Sequence, residues 1–260
     1  MRILCTNDDG FEAPGIGVLE TIASELSDDV WVVAPETDQS GVSHCISLSN
    51  PMRLREVSER HFAVRGTPAD CVVMGVRHLL ADKAPDLVLS GVNRGENLAE
   101  DVRYSGTIAA AMEATIMGIP AIAISQAYGE EGRSHINWQC ALRHAAAIVH
   151  KILEFGIPKN TLFNMNFPDC QADEVEGIVF VPQGRRNENM LHIEERMDGR
   201  EKPYYWLIFD RHAPTNTKNT DIWAIENNWI SITPVQLDMT DWKTLERLKA
   251  ALEPDRSAGA

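Results

Sequence analysis

Two adjacent carboxylates, Asp8 and Asp9, follow a short apolar run at the start of the chain. Such a run predicts a buried parallel strand, and ligands of open α/β sheets lie beyond the carboxyl ends of these strands. Along an ideal strand the two side chains would point to opposite faces, but Gly10 allows a turn that lets both reach one ion. The pair indicates a site for a hard divalent cation. A strand-end turn capped by Asx side chains is the alternative explanation on these residues alone.

Further polar residues follow the next predicted strands. Ser40 lies in the Ser-rich stretch 35–51, and loops of this length in a compact domain are usually functional or mobile. Asn93 and Asn97 offer amide oxygens to a metal or amide N–H groups to a phosphate, although turn geometry alone also explains them. Because parallel strands end at one edge of a sheet, we expect these residues to lie near the first two carboxylates.

Ser105, Gly106 and Thr107 open the clearest helix of the sequence, since Ser105 is a good N-cap and the following residues are strong helix formers. A helix start exposes backbone N–H groups and the positive end of the helix dipole, and this one adds two hydroxyls. The segment therefore predicts an anion site that needs no lysine. Many helices begin in this way without binding a ligand. The motif therefore predicts a site only in combination with the other candidate residues.

All of these candidate ligands are oxygens, which suit Mg²⁺, Mn²⁺ or Ca²⁺ rather than zinc or copper. A divalent cation held by two carboxylates can still accept a phosphate oxygen, and it lowers the pKa of a bound water that becomes the nucleophile. The helix start would hold the remaining phosphate oxygens as charge redistributes in the transition state. Together these features predict hydrolysis of phosphomonoesters.

Two other functions fit parts of the same pattern. Asp8 itself could attack phosphorus and form an aspartyl-phosphate, but that mechanism commonly has a second carboxylate two residues on, where this chain has Gly10. A non-catalytic nucleotide or phosphate sensor would bind through the helix start alone. Two carboxylates would repel its ligand in the absence of a cation, so they favour catalysis over sensing.

Apolar runs alternate with helical periodicity along the first two thirds of the chain, which predicts an α/β fold with a mostly parallel sheet flanked by helices over 1–174. From about Val175 strand-like runs are separated by charged segments, which we interpret as an antiparallel, β-rich annex with a terminal helix over 175–260. Five of the six Trp residues fall after residue 137. Exposed aromatic β-structure often contacts a partner surface, so the annex is the predicted assembly region.

Composition sets the remaining bounds. The formal net charge is −14 and the sequence pI is near 5.0, so duplex nucleic acid is an unfavourable partner. Five scattered cysteines without C-x-x-C spacing fit small core residues in a reducing compartment. No apolar run reaches membrane-spanning length and no signal peptide precedes the first strand, so we expect a cytoplasmic protein without membrane partners.

The sequence resembles the survival protein E (SurE) family of metal-dependent 5′/3′-nucleotidases. The resemblance is carried by ILCTNDDGFEAPGI, VVAPETDQSGVSHCISL, GTPADCVVMGV and the long block PDLVLSGVNRGENLAEDVRYSGTIAAAMEATIMGIPAIAIS. The later segments PYYW and TDIWAIENNWISITPVQLD continue it, so the blocks span almost the whole chain in family order.

The resemblance implies a role for each candidate residue. The metal ligands would be Asp8, Asp9, Ser40 and Asn93, with Mg²⁺ or Mn²⁺ as the cofactor and the two carboxylates as the catalytic pair. The phosphate contacts would be Asn97, Ser105, Gly106 and Thr107.

The resemblance also implies an architecture and a substrate class. It implies a Rossmann-like N-terminal domain, an extended C-terminal β-hairpin, and homodimers or homotetramers that exchange C-terminal elements. Members remove phosphate from nucleoside monophosphates, and some act on short polyphosphate.

The chain departs from the family pattern away from the ligand positions. Ala99 and Ala114 stand where members commonly have Gly, and His44 and Cys45 occupy a loop position often held by small polar residues. We expect Ala99 to stiffen the active-site loop. We expect His44 and Cys45 to affect entry to the site, so the sequence does not predict the base or the 5′/3′ preference.

Overall fold

The computed structural model describes residues 1–129, 132, 135–186, 191–209 and 218–252. Within these residues the strands are β1 (Arg2–Thr6), β2 (Asp29–Pro35), β3 (Arg53–Ser58), β4 (His61–Arg65), β5 (Leu87–Arg94), β6 (Ala121–Gln126), β7 (Thr161–Phe167), β8 (Gly177–Phe180), β9 (Leu191–Met197), β10 (Pro203–Phe209) and β11 (Trp229–Gln236). The α-helices are α1 (Pro14–Ser24), α2 (Pro68–Met74), α3 (Gly106–Ile116), α4 (Gln139–Phe155), α5 (Asp221–Glu226) and α6 (Trp242–Leu252). A π-helical turn, Gly75–Leu79, follows α2, and a 3₁₀ helix, Ala99–Arg103, precedes α3.

Nine strands form one sheet in the order β3-β4-β2-β1-β5-β6-β7-β11-β8. The six strands from β4 to β7 in this order are parallel, whereas β3 and β11 each run antiparallel to their inner neighbour. Helices α1 and α4 pack on one face of the sheet, and α2 and α3 pack on the other. The predicted α/β fold with a mostly parallel, helix-flanked sheet is confirmed.

Local sequence signals explain where several helices begin and end. The Thr67 hydroxyl accepts a hydrogen bond from the Asp70 backbone N–H at 3.2 Å, and the Asp70 carboxylate accepts one from the Thr67 N–H at 2.8 Å. The two bonds form a capping box at the start of α2. Ser105 caps α3 in the same way by accepting from the Ile108 N–H. Gly156 ends α4 with a φ of 86°, a conformation that favours glycine.

Strand β5 extends further than its apolar run. Asn93, for which turn geometry was the alternative explanation, lies on the strand, which continues to Arg94 and shifts its register against β6 between Ser90 and Asn93. This register shift requires glycine at position 91, because a Cβ there would lie 2.1 Å from the Ile124 carbonyl oxygen. After the shift Asn93 pairs with Ser125 of β6, at the carboxyl end of the strand.

The predicted β-rich C-terminal region contains the expected antiparallel hairpin, and two of its strands join the main sheet. Strand β8 and strand β11 belong to the main sheet and run parallel to each other, while β9 and β10 alone form a second, two-stranded antiparallel sheet. Short strands in a polar context indicate β-structure, but they do not indicate which sheet the strands join. The predicted terminal helix is present as α6, and the annex segments 187–190, 210–217 and 253–260 lie outside the described residues.

Two compositional expectations were examined in the structure. In the described ranges no helix is both long and apolar enough to cross a membrane. All five cysteines are free thiols, three of them buried, as expected for small core residues.

Candidate metal and phosphate site

The site lies beyond the carboxyl ends of β1 and β5, which are neighbours in the sheet with Thr6 opposite Ser90. A cavity of about 240 Å³ opens there. Its lining residues are Asp8, Ser40, Gly41, Asn93, Asn97, Asp101, Tyr104, Ser105 and Phe209. Five of the eight residues predicted for the site therefore line one cavity, and the other three (Asp9, Gly106 and Thr107) lie within two residues of a lining residue in the chain.

Asp8 is a buried carboxylate of this cavity, with 3% of the residue exposed. Its Oδ1 accepts a hydrogen bond from the Thr107 hydroxyl at 2.6 Å. Burial, and secondarily the negative charge of Asp9, raise the pKa of Asp8 to about 7, and the Thr107 hydroxyl opposes this shift. A buried carboxylate that faces a cavity is stabilised by a cation in that cavity.

Asp9 has different partners from Asp8. Its two oxygens accept hydrogen bonds from the Arg94 backbone N–H at 2.9 Å and from the Arg94 Nε at 3.0 Å. The guanidinium also reaches Asp38 at 3.3 Å, so Arg94 joins two acidic segments at the sheet edge. An ionised carboxylate has further lone pairs, so this pairing orients Asp9 without saturating it.

The loop that follows β2 brings Ser40 to the cavity. The Gln39 N–H donates to the Asp8 carbonyl at 2.7 Å, and the Ser40 N–H donates to Asp38 at 2.8 Å. Ser40 itself is exposed. The backbone of the loop is thus hydrogen-bonded directly to the backbone of Asp8, which explains how a residue distant in sequence reaches the site.

Asn93 and Asn97 stand on either side of the turn after β5. The Asn93 side-chain amide donates to the Gly95 carbonyl at 2.7 Å, which leaves its oxygen available as a ligand. Asn97 is buried, and its side-chain amide donates to the Ser125 hydroxyl at 2.9 Å. Asn164 and Asn166 bind the Asn97 backbone from β7, so this turn is fixed from within the sheet.

The start of α3 approaches Asp8 very closely because residue 106 is glycine. A Cβ at Gly106 would lie 2.7 Å from the Asp8 Cβ and 3.0 Å from its Oδ2. The first backbone N–H groups of a helix have no acceptor within the helix. These groups, the positive end of the dipole and the Ser105 hydroxyl therefore lie beside the carboxylate, an arrangement suited to an anion that a cation accompanies.

Sequence reasoning missed several residues that support the site. Asp101 lines the cavity and pairs with Arg186 at 2.7 Å, and both side chains are almost fully buried. Asp221 accepts hydrogen bonds from the backbone N–H groups of Ala99 at 2.9 Å and Gly184 at 2.7 Å. Because these partners are far apart in the chain, no local sequence pattern predicts their pairing. The family resemblance around 97–105 and 220–238 was the signal that could have drawn attention to these segments.

The departures from the family pattern have structural counterparts. Ala99 has a φ of 50°, in the left-handed region that favours glycine, and Asp221 and Gln183 hold its backbone. The His44 Nε2 lies 2.9 Å from a Glu113 carboxylate oxygen on α3. The Cys45 carbonyl accepts a hydrogen bond from the Thr67 hydroxyl, so the loop carrying both residues is attached to two helices.

The fold and site define a class: a mostly parallel α/β protein with an oxygen-lined pocket at the carboxyl edge of its sheet. The chain belongs to the SurE family, since the family described as "Survival protein SurE" matches residues 3–190.

Relatives and a solved structure agree with this assignment. The chain is 60% identical over 252 residues to a protein of Methylobacterium sp. (strain 4-46) named 5'-nucleotidase SurE, covering 97% of this chain and 100% of that protein. It is 57% identical over 254 residues to the protein of the same name from Rhodopseudomonas palustris (strain BisA53), with 97% and 100% covered. The crystal structure of the Sure protein from Aquifex aeolicus superposes with a TM-score of 0.81 at 39% identity, covering 96% of this chain and 99% of that one.

Proposed function

We propose that this protein is a phosphomonoesterase that hydrolyses nucleoside 5′- and 3′-monophosphates to nucleoside and phosphate, with short polyphosphate as a further substrate. The observation that carries the proposal is the convergence of Asp8, Ser40, Asn93 and the start of α3 on one cavity. Relatives covering nearly the whole chain are named 5'-nucleotidase SurE, which supports nucleotides as the substrate class. None of the relatives described above is named as a sensor.

The donor set fits a divalent cation such as Mg²⁺ or Mn²⁺. Asp8 and Asp9 supply carboxylate oxygens, Ser40 a hydroxyl and Asn93 an amide oxygen, and hard cations prefer such ligands. Among the described residues no cluster of three or more His, Cys, Asp or Glu side chains offers a rival metal centre. When bound, the cation would supply an activated water and would polarise a phosphate oxygen.

The chain's own residues bind and orient the phosphate. The backbone N–H groups of Gly106 and Thr107 and the Ser105 hydroxyl would bind phosphate oxygens, and Asn97 would add an amide donor. The bond from Thr107 to Asp8 couples the two halves of the site at 2.6 Å. Because these donors are fixed before the substrate binds, they stabilise developing charge without reorganisation.

We also propose that the region 175–260 takes part in homodimer or homotetramer formation through exchange of C-terminal elements. Helix α6 has no buried residue, and its apolar residues Trp242, Leu248 and Leu252 are exposed. A helix with an apolar stripe is stabilised by packing that stripe against another surface. A second copy of this chain provides such a surface by symmetry.

The proposed compartment is the cytoplasm. Five free cysteines in a chain of this size support a reducing environment. The acidic net charge of −14 supports small substrates held by local donors rather than duplex nucleic acid.

The function is tested by measuring phosphate release from a panel of nucleoside 5′- and 3′-monophosphates with EDTA, Mg²⁺ or Mn²⁺. The matched proteins are wild type and Asp9→Asn. We expect metal-dependent release that the variant loses, and the panel reports base and position preference. Equal release in EDTA would contradict the metal-dependent mechanism, and covalent labelling of Asp8 during turnover would indicate the aspartyl-phosphate mechanism instead.

A further inference from the structure

We propose that Tyr104 and Phe209 form an aromatic corner that stacks the nucleobase and so selects nucleotides over phosphate esters without a base. The inference rests on the proposed nucleotidase function and adds the part of the site that binds the nucleoside. The two ring centroids are 5.4 Å apart and the ring planes meet at 72°. Both residues line the same cavity as Asp8 and Ser105.

The position of Tyr104 follows from the start of α3. Tyr104 directly precedes Ser105, the N-cap of the helix, so a phosphate held at the helix start has this ring as its neighbour. The Tyr104 carbonyl accepts a hydrogen bond from the Ser43 N–H at 3.0 Å, and its own N–H donates to the Asp101 carbonyl at 2.9 Å. The backbone is thus fixed while the residue is 37% exposed, which leaves ring surface for a ligand.

Phe209 reaches the cavity from a different part of the chain. It is the last residue of β10, opposite Leu191 of β9, and this two-stranded sheet is separate from the main sheet. Tyr204 and Trp206 on the same strand pair with each other at 6.4 Å. Phe209 has no polar atom on its side chain, so at a polar cavity it contributes an apolar surface on which a planar base can pack.

An edge-to-face pair leaves a corner in which a planar base stacks on one ring and meets the other ring at an angle. Several polar side chains around the cavity have protein partners or proposed phosphate and metal roles, and none of them provides a flat apolar surface for a base. Asn93 donates to Gly95, Asn97 donates to Ser125, and Asp101 pairs with Arg186. Stacking accepts every base because each has a π face, so we expect weak discrimination between bases and a preference for the larger purines.

The corner is tested by comparing AMP, CMP and ribose 5-phosphate as substrates with Mn²⁺, using wild type and the variants Tyr104→Ala, Phe209→Ala, Tyr104→Phe and Phe209→Tyr. We expect each alanine variant to raise the KM for AMP about tenfold and to change kcat by less than about twofold. The KM for ribose 5-phosphate should stay unchanged. The aromatic replacements should keep the wild-type KM for AMP.

Equal losses for AMP and ribose 5-phosphate would overturn the inference, since they would mean that the ring pair only closes or supports the site. An unchanged KM for AMP in both alanine variants would overturn it as well. Calorimetric titration of the same proteins with adenosine, which has no phosphate, measures the corner independently of turnover. If the protein hydrolyses no ester but binds adenosine through both rings, the inference about the aromatic corner would be supported and the proposed function would be contradicted.

Discussion

The carboxyl edge of the sheet and the C-terminal hairpin with α6 depart from an ordinary protein surface in opposite ways. At the sheet edge, polar residues are buried: Asp8, Asp9, Asn97 and Thr107. On β9, β10 and α6, apolar residues are exposed: Ile193, Met197, Trp206, Leu207, Leu248 and Leu252. Both departures are informative, because buried polar groups need a partner and exposed apolar groups favour contact with another surface. The comparison supports the proposals of ligand binding at the first region and of assembly at the second, although Phe209 of the second region also lines the ligand cavity.

The largest effect should come from removing the buried charge at the sheet edge. We expect Asp8→Asn to lower kcat/KM by on the order of 10³-fold in steady-state assays with Mn²⁺, because one anionic ligand is lost.

The same substitution should stabilise the metal-free fold. Since burial raises the Asp8 pKa to about 7, folding opposes its ionisation, and this cost is present above pH 7 and absent below about pH 4. Denaturant unfolding in EDTA should therefore show Asp8→Asn more stable than wild type by roughly 1–4 kcal/mol at pH 8, with no difference at pH 4. A lower stability of Asp8→Asn than of wild type at pH 8 would contradict the view that the buried Asp8 charge destabilises the metal-free fold.

The second effect concerns how closely α3 approaches Asp8. In Gly106→Ala the new Cβ would lie 2.7 Å from the Asp8 Cβ, so the helix start must move, and we expect kcat/KM to fall about 10²-fold. Gly17→Ala on α1 is the matched control, because no atom lies within 4 Å of its Cβ position and alanine favours helix. Full activity of Gly106→Ala would show that the helix start does not act on the substrate.

The third effect is the pH dependence of cation binding to the metal-free protein. The ionised form of Asp8 is the ligand, and its raised pKa means that protons compete with the cation below about pH 7. Calorimetry should show Mn²⁺ affinity falling by up to about tenfold per pH unit between pH 7 and pH 5. Thr107→Val removes a hydrogen bond that lowers this pKa, so the fall should begin at a higher pH. An affinity that is constant across this pH range would indicate that Asp8 is not a ligand of the cation.

The fourth effect belongs to the assembly region. The double variant Tyr204→Ser, Trp206→Ser removes the exposed aromatic pair of β10 and should weaken self-association about tenfold or more by analytical ultracentrifugation. The free energy of unfolding of a dissociated chain should change by less than about 0.5 kcal/mol, since the pair is exposed. Ile116→Ser on α3, at a comparably exposed residue, is the control. Unchanged self-association of the double variant would show that the hairpin is not part of the assembly surface.

The smallest effect is expected at Ala99, whose φ of 50° is unfavourable for a residue with a Cβ. Ala99→Gly relieves this strain but increases the entropy of the unfolded chain, so the net change in stability should be within about 1 kcal/mol. If Ala99 stiffens the loop, the glycine variant should show faster amide hydrogen exchange over 97–103. Equal exchange would mean that the hydrogen bonds of the residue 99 backbone with Asp221 and Gln183 fix the loop, whichever side chain residue 99 carries.

The main sheet and its helices could be predicted from the sequence because local signals and burial agree there. Apolar runs mark β1, β2 and β6, and the Thr67 and Ser105 caps mark two helix starts. The polar turns were predicted to meet because parallel strands end at one edge. Their ligand roles remain predictions that the experiments above address.

Other features could not be predicted because their causes are long-range. The length of β5 depends on a close approach of Gly91 to the Ile124 carbonyl, and the placement of β8 and β11 depends on which strand they pair with. The pairing of Asp9 with Arg94 required the register of β5 to be known. No window of sequence contains both members of these contacts.

The bonds from Asp221 to Ala99 and Gly184 also determine when during synthesis the site is complete. A ribosome-bound chain that ends before residue 221 contains Asp8, Ser40, Asn93 and the start of α3, but it lacks the carboxylate that fixes the 99–103 turn. Strand β11, which lies between β7 and β8, is made later still. Catalytic competence should therefore arise at the end of translation, so that a prematurely terminated chain would carry most of the ligands without hydrolysing nucleotides.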